Sequence, residues 1–304
     1  MIERTPLFNF VCYTILALGL VIALLPFGIV IIASTLDLRA VNTVPLPLTP
    51  STHFWENVQA AWTRADLGNK LLNSLIFAVS VAAGKVVLSS MAAFAIVYFR
   101  FRGRYLIFWL IFITLMLPLE VRIVPTYSIA ANALQPFQTI LDVMGVTSLL
   151  ASLAGIEVNL QWGLLNSYTG LVLPLVATAT GTFLYRQFYL TVPDELAEAT
   201  KMDGAGPIRF FLDVLLPLSR PNMIALFTIM FVWAWNQYLW PLLITTDPSF
   251  GIAVTQLKTL IPSEFGLPDW NVAMAGTLII MSPPLILVIL MQRWFVRGLI
   301  STEK

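Results

Sequence analysis

The chain has 304 residues and a formal net charge of +1; 58% of it is hydrophobic and only 11% charged. A soluble domain carries about 25% charged residues, so this chain cannot cover its surface with polar groups in water, and it reads as a polytopic membrane protein. A net charge of +1 says nothing about nucleic acid, and no basic run supports that reading. One cysteine, Cys12, excludes an internal disulfide or a cysteine metal cluster, and the lone histidine, His53, lies in a Pro/Thr-rich loop where solvation is its ordinary state.

A membrane helix needs about 20 apolar residues to cross about 30 Å of hydrocarbon. Six runs meet that length, near residues 10–33, 72–98, 105–128, 167–187, 221–245 and 271–295. The first is too long for the apolar region of a secretory signal and lacks a small-residue cleavage site, so we expect it to remain as a span. The second carries Lys85 near its middle. A charge there must face protein or water. Two roles stay open for it: pairing with a carbonyl or a neighbouring subunit, or a cation in a translocation path that attracts an anion. The third run is interrupted by Pro118, Glu120, Arg122 and Pro125, which predicts a bent or unwound outer end. Glu120 and Arg122, two positions apart, point to different sides of a helix. They either hold this broken segment beside the pore or anchor it at the interface. Ser282-Pro283-Pro284 predicts a kink in the sixth run.

Lys and Arg set the orientation. With the N-terminus inside, the inner segments hold Arg4, Arg100, Arg102, Arg104, Arg186, Lys201, Arg209, Arg220, Arg293, Arg297 and Lys304. The outer segments hold fewer: Arg39, Arg64, Lys70, Arg122 and Lys258. The positive-inside bias therefore predicts cytoplasmic termini and a cytoplasmic loop at 188–220. Trp233, Trp235, Tyr238 and Trp240 at the outer end of the fifth run, and Trp294 and Phe295 at the inner end of the sixth, fit aromatic belts. Of the three long outer loops, 34–71 is polar with extended backbone expected at 45–50. Residues 129–166 hold apolar pieces too short to span, suited to an interface or to packing over the pore mouth. Residues 246–270 suit loop with one short helix. No internal repeat is visible, so the whole of 1–304 reads as one transmembrane domain.

The loop at 188–220 has its own logic. Thr191 can cap a helix, Pro193 fits its first turn, and Asp194 and Glu195 favour the positive end of its dipole. Gly204 fits the left-handed stop. Ala197, Ala199 and Ala205 allow another surface to come close. After Gly206-Pro207, Ile208, Phe211, Leu212 and Leu215 can pack on the spans, and Pro217 and Pro221 turn the chain into the fifth. The segment is either an amphipathic cover for the bundle or a handle for a soluble partner.

A resemblance carried by its spacing shifts the balance to the handle. Glu198-Ala199-Thr200, then Gly204, then Val214-Leu215-Leu216-Pro217 resembles the Glu-Ala-Ala loop of ABC-importer permeases, with Thr200 and Val214 as small departures. Trp235-Asn236-Gln237 through Pro241-Leu242 resembles the Trp-Asn-Asp-x-x-x-Pro-Leu signature of carbohydrate-type permeases, Gln237 replacing Asp. Met116-Leu117-Pro118 through Pro125, and Asn166 to Leu171 with Pro174, resemble the third helix and the entry to the fourth. Leu38-Arg39-Ala40-Val41, Leu117 to Ile123, and Gln292 to Leu299 are similar to the branch of that family serving sn-glycerol-3-phosphate importers, although the loop near 136–165 is longer than usual there.

The resemblance implies an all-α, six-span type I ABC-importer permease fold in the bacterial inner membrane. It implies transport of sn-glycerol-3-phosphate, with glycerophosphodiesters as further cargo. The implied partners are a second permease subunit, an ATPase dimer at the 188–220 loop and a periplasmic substrate-binding protein. ATP is used by the ATPases, and no cofactor binds this chain. Glu195, Glu198, Ala199, Asp203, Gly204 and Pro217 would couple to the ATPase. Lys85, Glu120, Arg122, Trp235 and Asn236 would line the pathway. A sugar or polyol permease is the near alternative; a secondary carrier, or a scaffold without transport, is more distant. No Gly-x-x-x-x-Gly-Lys-Ser/Thr loop is present, and neither a Ser/His/Asp set nor an intramembrane carboxylate relay is found.

Overall fold

The computed structural model describes residues 6–113, 117–261 and 266–300, omitting the side chains of 6, 119, 154 and 293–300. Every long element among the described residues is helical. The helices are α1 (Pro6–Thr35), α2 (Phe54–Arg64), α3 (Leu67–Tyr98), α4 (Arg104–Ile113), α5 (Leu119–Ala131), α6 (Gln135–Val143), α7 (Val146–Ala154), α8 (Tyr168–Val176) and α9 (Ala179–Tyr189). They continue with α10 (Asp194–Met202), α11 (Pro207–Leu218), α12 (Arg220–Trp235), α13 (Leu239–Ile244) and α14 (Trp270–Ile300). Three of them, α1, α3 and α14, are long and apolar enough to cross a membrane alone. Three bent pairs raise the number to as many as 6: α6 with α7 (72°), α8 with α9 (46°) and α11 with α12 (73°).

The runs expected at 10–33, 72–98, 167–187 and 271–295 fall on α1, α3, the α8–α9 pair and α14. The run at 105–128 is two helices. α4 is a short apolar helix, and α5 begins afresh after Pro118, whose backbone is extended. The fifth run ends as a helix at Trp235, and α13 follows as a separate turn-and-a-half. The piece at 129–166 holds more helix than expected: α6 and α7 form a bent apolar pair.

The chain divides into two compact units, residues 1–71 with 256–283, and 72–255 with 284–304. In the first, Ala33, Leu36 and Val41 form a small core against which Leu46 and Met274 pack. Asn57, buried on α2, donates from Nδ2 to the carbonyls of Ser34 (2.9 Å) and Leu36 (2.8 Å) and accepts from Asn271 Nδ2 (2.7 Å). The ends of α1, α2 and α14 are thus held by one amide, which satisfies backbone groups freed at the α1 terminus. Arg64 pairs with Asp269. Helix α14 runs on through Pro283-Pro284. Pro283 cannot donate to the Ile279 carbonyl, and the Ser282 hydroxyl donates there instead (2.7 Å), which is how a membrane helix tolerates the residue.

In the second unit, Phe77, Val81, Leu171, Leu175, Leu215 and Leu226 are buried. Asn73 Nδ2 donates to the carbonyls of Ser249 (2.7 Å) and Gly251 (3.0 Å), and Tyr168 donates to Asn73 Oδ1 (2.6 Å). Trp240, fully buried, donates from Nε1 to the Leu171 carbonyl (3.2 Å). Trp235 is 1% exposed. These two indoles therefore pack inside the protein instead of joining an aromatic belt; Trp294 and Phe295 lie outside the described side chains. α3 crosses the α8–α9 bend closely. A Cβ on Gly181 would stand 2.3 Å from Ser89 Oγ, and one on Gly84 2.6 Å from Val176 Cγ1. Small residues at such crossings let backbones approach where lipid supplies no hydrophobic drive.

Candidate functional site: a charged cavity and an exposed helix

Helix α10 starts at Asp194 with Pro193 as its N-cap residue. Thr191 does not cap it. Its hydroxyl donates back to the Phe188 carbonyl (2.7 Å), closing the preceding helix. Asp194 and Glu195 occupy the first turn and Lys201 the last, as the dipole favours. The end is a Schellman motif: Gly204 N–H donates to Lys201 (3.0 Å) and Ala205 N–H to Thr200 (3.1 Å). Gly204 has φ +74°, a conformation that costs an ordinary L-residue roughly 1–2 kcal/mol. No residue of α10 is buried; Glu195, Glu198, Ala199 and Asp203 are all exposed, and Met202 is 84% exposed.

Below it, α11 anchors the loop. Phe210 and Leu215 are buried, and the Phe211 ring sits 4.9 Å from Phe94. Ile208 and Leu212, expected to pack inward, are 74% and 52% exposed; Phe210 takes their place. Residues Phe211–Leu215 form a π-helical turn. Pro217 follows it and cannot donate to the Asp213 carbonyl, so the ladder widens where the proline would otherwise clash. Buried Ser219 donates to Leu215, and the chain bends 73° into α12.

The second feature is a cavity of about 330 Å³ inside the second unit. Three helix interruptions meet there. Pro118 and Glu120 come from the start of α5, Thr178 and Thr180 from the α8–α9 bend, and Trp233 and Gln237 from the end of α12 and just beyond. Irregular backbone at membrane depth is tolerated where it lines such a space. Pro118 and Thr178 are the N-cap residues of α5 and α9, so the positive ends of two helix dipoles border the cavity.

Lys85, 5% exposed, places its Nζ 3.6 Å from the centre of the Trp233 ring. Such a contact contributes about 2 kcal/mol when desolvated. Arg122 and Glu120 line the same space, and Arg122 repels Lys85. Arg122 Nε is buried without a hydrogen-bond partner. Among the described residues no carboxylate lies within salt-bridge distance of Lys85 or Arg122. Two cations thus face one carboxylate across a space that can take an anion. Arg122 also borders a more apolar cavity of about 410 Å³ lined by Leu88, Ser89, Leu110 and Thr182.

Of the residues predicted to line a pathway, Lys85, Glu120 and Arg122 come together and Trp235 and Asn236 do not. Trp235 stacks on Phe231 (5.6 Å), and the Asn236 amide donates back to Val232 (2.8 Å). Trp233 and Gln237, on the neighbouring face of the same segment, line the cavity instead, together with Thr178 and Thr180. The four-residue step from Trp233 to Gln237 marks a shared helix face that the sequence could have shown.

Residues 85–301 match the family described as binding-protein-dependent transport system inner membrane component. Over 310 aligned residues covering all of both chains, the sequence is 44% identical to the sn-glycerol-3-phosphate transport system permease protein UgpE of Yersinia enterocolitica. It is 45% identical, again over the whole of both chains, to UgpE of Escherichia coli K12. A solved bacterial ABC transporter involved in the import of the acidic polysaccharide alginate contains a chain with the same fold. The TM-score is 0.70 at 18% identity, over 97% of this chain and 99% of that one. The all-helical architecture, the interrupted spans and these likenesses agree, and the chain belongs to the family of inner-membrane components of binding-protein-dependent transport systems.

Proposed function

We propose that this chain is one permease subunit of an ATP-driven importer for sn-glycerol-3-phosphate, with glycerophosphodiesters as further cargo. The observation that carries the reading is the cation surplus of the cavity, where Lys85 and Arg122 face Glu120. A phosphoester brings the charge this space lacks. The full-length relatives named for sn-glycerol-3-phosphate transport support the same substrate.

The complex would hold a second permease, two ATPase subunits and a periplasmic substrate-binding protein. Positive-inside asymmetry supports cytoplasmic termini and a cytoplasmic α10. Helix α10, with Glu195, Glu198, Ala199, Asp203 and Gly204, docks on the ATPase pair. Pro217 sets the turn that links it to α12. ATP stays with the ATPases, and closure of that pair moves α10. Because α11 is packed on α3 through Phe94, the motion passes to the helices around the cavity. Residues 1–304 act as one permease domain in this scheme, both compact units included.

The test is uptake of labelled sn-glycerol-3-phosphate into proteoliposomes holding the whole complex, with and without ATP on the ATPase side. Uptake should require ATP and fall on the order of tenfold in Lys85→Gln, a change of about 1.4 kcal/mol in affinity. ATP-independent uptake, or ATP-driven uptake of maltose in place of sn-glycerol-3-phosphate, would refute the reading.

A further inference from the structure

Helix α2 has three distinct sides. Asn57 and Ala61 face inward and are buried; Glu56, Gln59 and Thr63 form a polar crest. At 3.6 residues per turn, Trp55 and Trp62 share one flank beside that crest. They are 75% and 47% exposed. Two large exposed indoles beside a polar crest need a partner, and the surroundings of α2 identify it.

The helix sits at the very end of a membrane-spanning segment. His53 N–H donates to the Thr35 carbonyl (3.2 Å), the last residue of α1, and Asn57 grips Ser34 and Leu36. Along α1 the apolar side chains are open almost to this point, with Leu24 54%, Phe27 45% and Ile31 52% exposed. At its other end α2 turns into α3 within two residues, through Asp66 at φ +47°. The Trp62 ring lies across the first turn of α3, where a Cβ on Gly68 would stand 3.3 Å from it. The indole flank therefore stands beside the ends of two candidate spans, α1 with its open apolar side chains and α3 under the Trp62 ring.

We infer that α2 lies in the plane of the membrane–water interface and that Trp55 and Trp62 anchor it in lipid headgroups. An indole suits that layer, because its ring is apolar and its N–H needs a polar partner. The polar crest faces water, as in other in-plane amphipathic helices. Through the Asn57 clasp this anchor fixes the depth of the α1 terminus and of the first turn of α3.

The test compares tryptophan emission of the whole complex with that of Trp55→Phe and Trp62→Phe complexes. Vesicles are made of phosphatidylcholine and phosphatidylglycerol, with or without bromine on the acyl chain near the headgroup. The emission lost on each substitution should be largely quenched by brominated lipid and hardly affected by aqueous iodide. Emission open to iodide and indifferent to bromine overturns the proposal. Emission closed to both iodide and bromine also overturns it, by making the flank a protein dock. Phenylalanine keeps the ring bulk, and the two positions are read separately, so misassembly of one variant leaves the other decisive.

Discussion

Helix α10 takes its start, its stop and its charges from neighbouring positions, 192–205, whereas the cavity takes its lining from residues as distant as Lys85 and Gln237. The first has no buried residue between Asp194 and Met202; the second encloses a lysine that is 5% exposed. In the proposed docking role α10 must keep its own shape unaided, and local rules fix that shape: an acidic first turn and a left-handed glycine. A site that holds charge inside a membrane must draw on several helices, because each cation needs packing and polar neighbours from more than one side. The two regions therefore fail in different ways. Damage to α10 should break coupling and leave binding; damage to the cavity should alter what is carried and leave coupling.

The largest effect expected is the loss of coupling. Glu198→Arg with Gly204→Asp reverses a charge on the exposed face and puts a side chain where φ is +74°. The strain alone costs roughly 1–2 kcal/mol and loosens the Schellman stop. ATP-driven uptake should fall to background while the permease pair still co-purifies. Uptake at the wild-type rate would mean that α10 merely covers the bundle, and the contrast between the two regions would collapse.

Next comes the charge balance of the cavity. Gln237→Glu adds one negative charge to the cavity that Lys85 lines, at nearly constant shape, and cancels the surplus. Uptake of sn-glycerol-3-phosphate should drop on the order of tenfold, or about 1.4 kcal/mol. Gln237→Leu, which leaves the charge alone, should lose far less. Basal ATP hydrolysis should be unchanged in both. Equal losses in the two variants would assign Gln237 to packing and remove charge from the explanation.

A smaller effect is expected at the platform under Lys85. Trp233→Leu removes the ring 3.6 Å from the ammonium and should cost about 1–2 kcal/mol of lysine placement. The Michaelis constant for uptake should rise several-fold with the maximal rate little changed. A fall in the rate alone would place Trp233 in the moving machinery instead.

The same contrast explains what the sequence disclosed. Spans, their interruptions and the start and stop of α10 are written in neighbouring residues: the apolar run of α3, Pro118 before α5, Gly204 after α10. Lys85, Glu120 and Arg122 stood out because charge inside an apolar run is conspicuous by itself. Their convergence did not, since it depends on how α3, α5 and α12 cross. Trp235 and Trp233 look alike in sequence, and only the rotation of α12 decides which indole enters the core and which meets Lys85. The π-helical turn at Phe211–Leu215 was hidden for a related reason. Pro217 signals a disturbed ladder, but a kink, a break and a widened turn all answer that signal, and packing of Phe210 and Leu215 selects among them. Ile208 and Leu212 border an open apolar cleft against α3 instead of being buried, and apolar spacing alone does not distinguish the two placements.

The smallest effect is expected at Arg209, and it sharpens the comparison from the side of α10. Its Nε lies 3.2 Å from Asp213 Oδ2, but the two side chains are 74% and 63% exposed. An exposed i,i+4 pair of this kind contributes about 0.3–0.5 kcal/mol, and salt screens it further. Arg209→Ala should therefore leave assembly, thermal stability and ATP-driven uptake close to wild type. The pair reaches from the first turn of α11 into the π-helical turn, on the stretch that in the proposed scheme carries motion from α10 to the spans. If Arg209→Ala nevertheless lowered uptake strongly while assembly held, that stretch would be under tension from the docked partner. The coupling surface would then extend past Gly204 into α11, and the exposed Ile208 and Leu212 beside Arg209 would belong to the same dock.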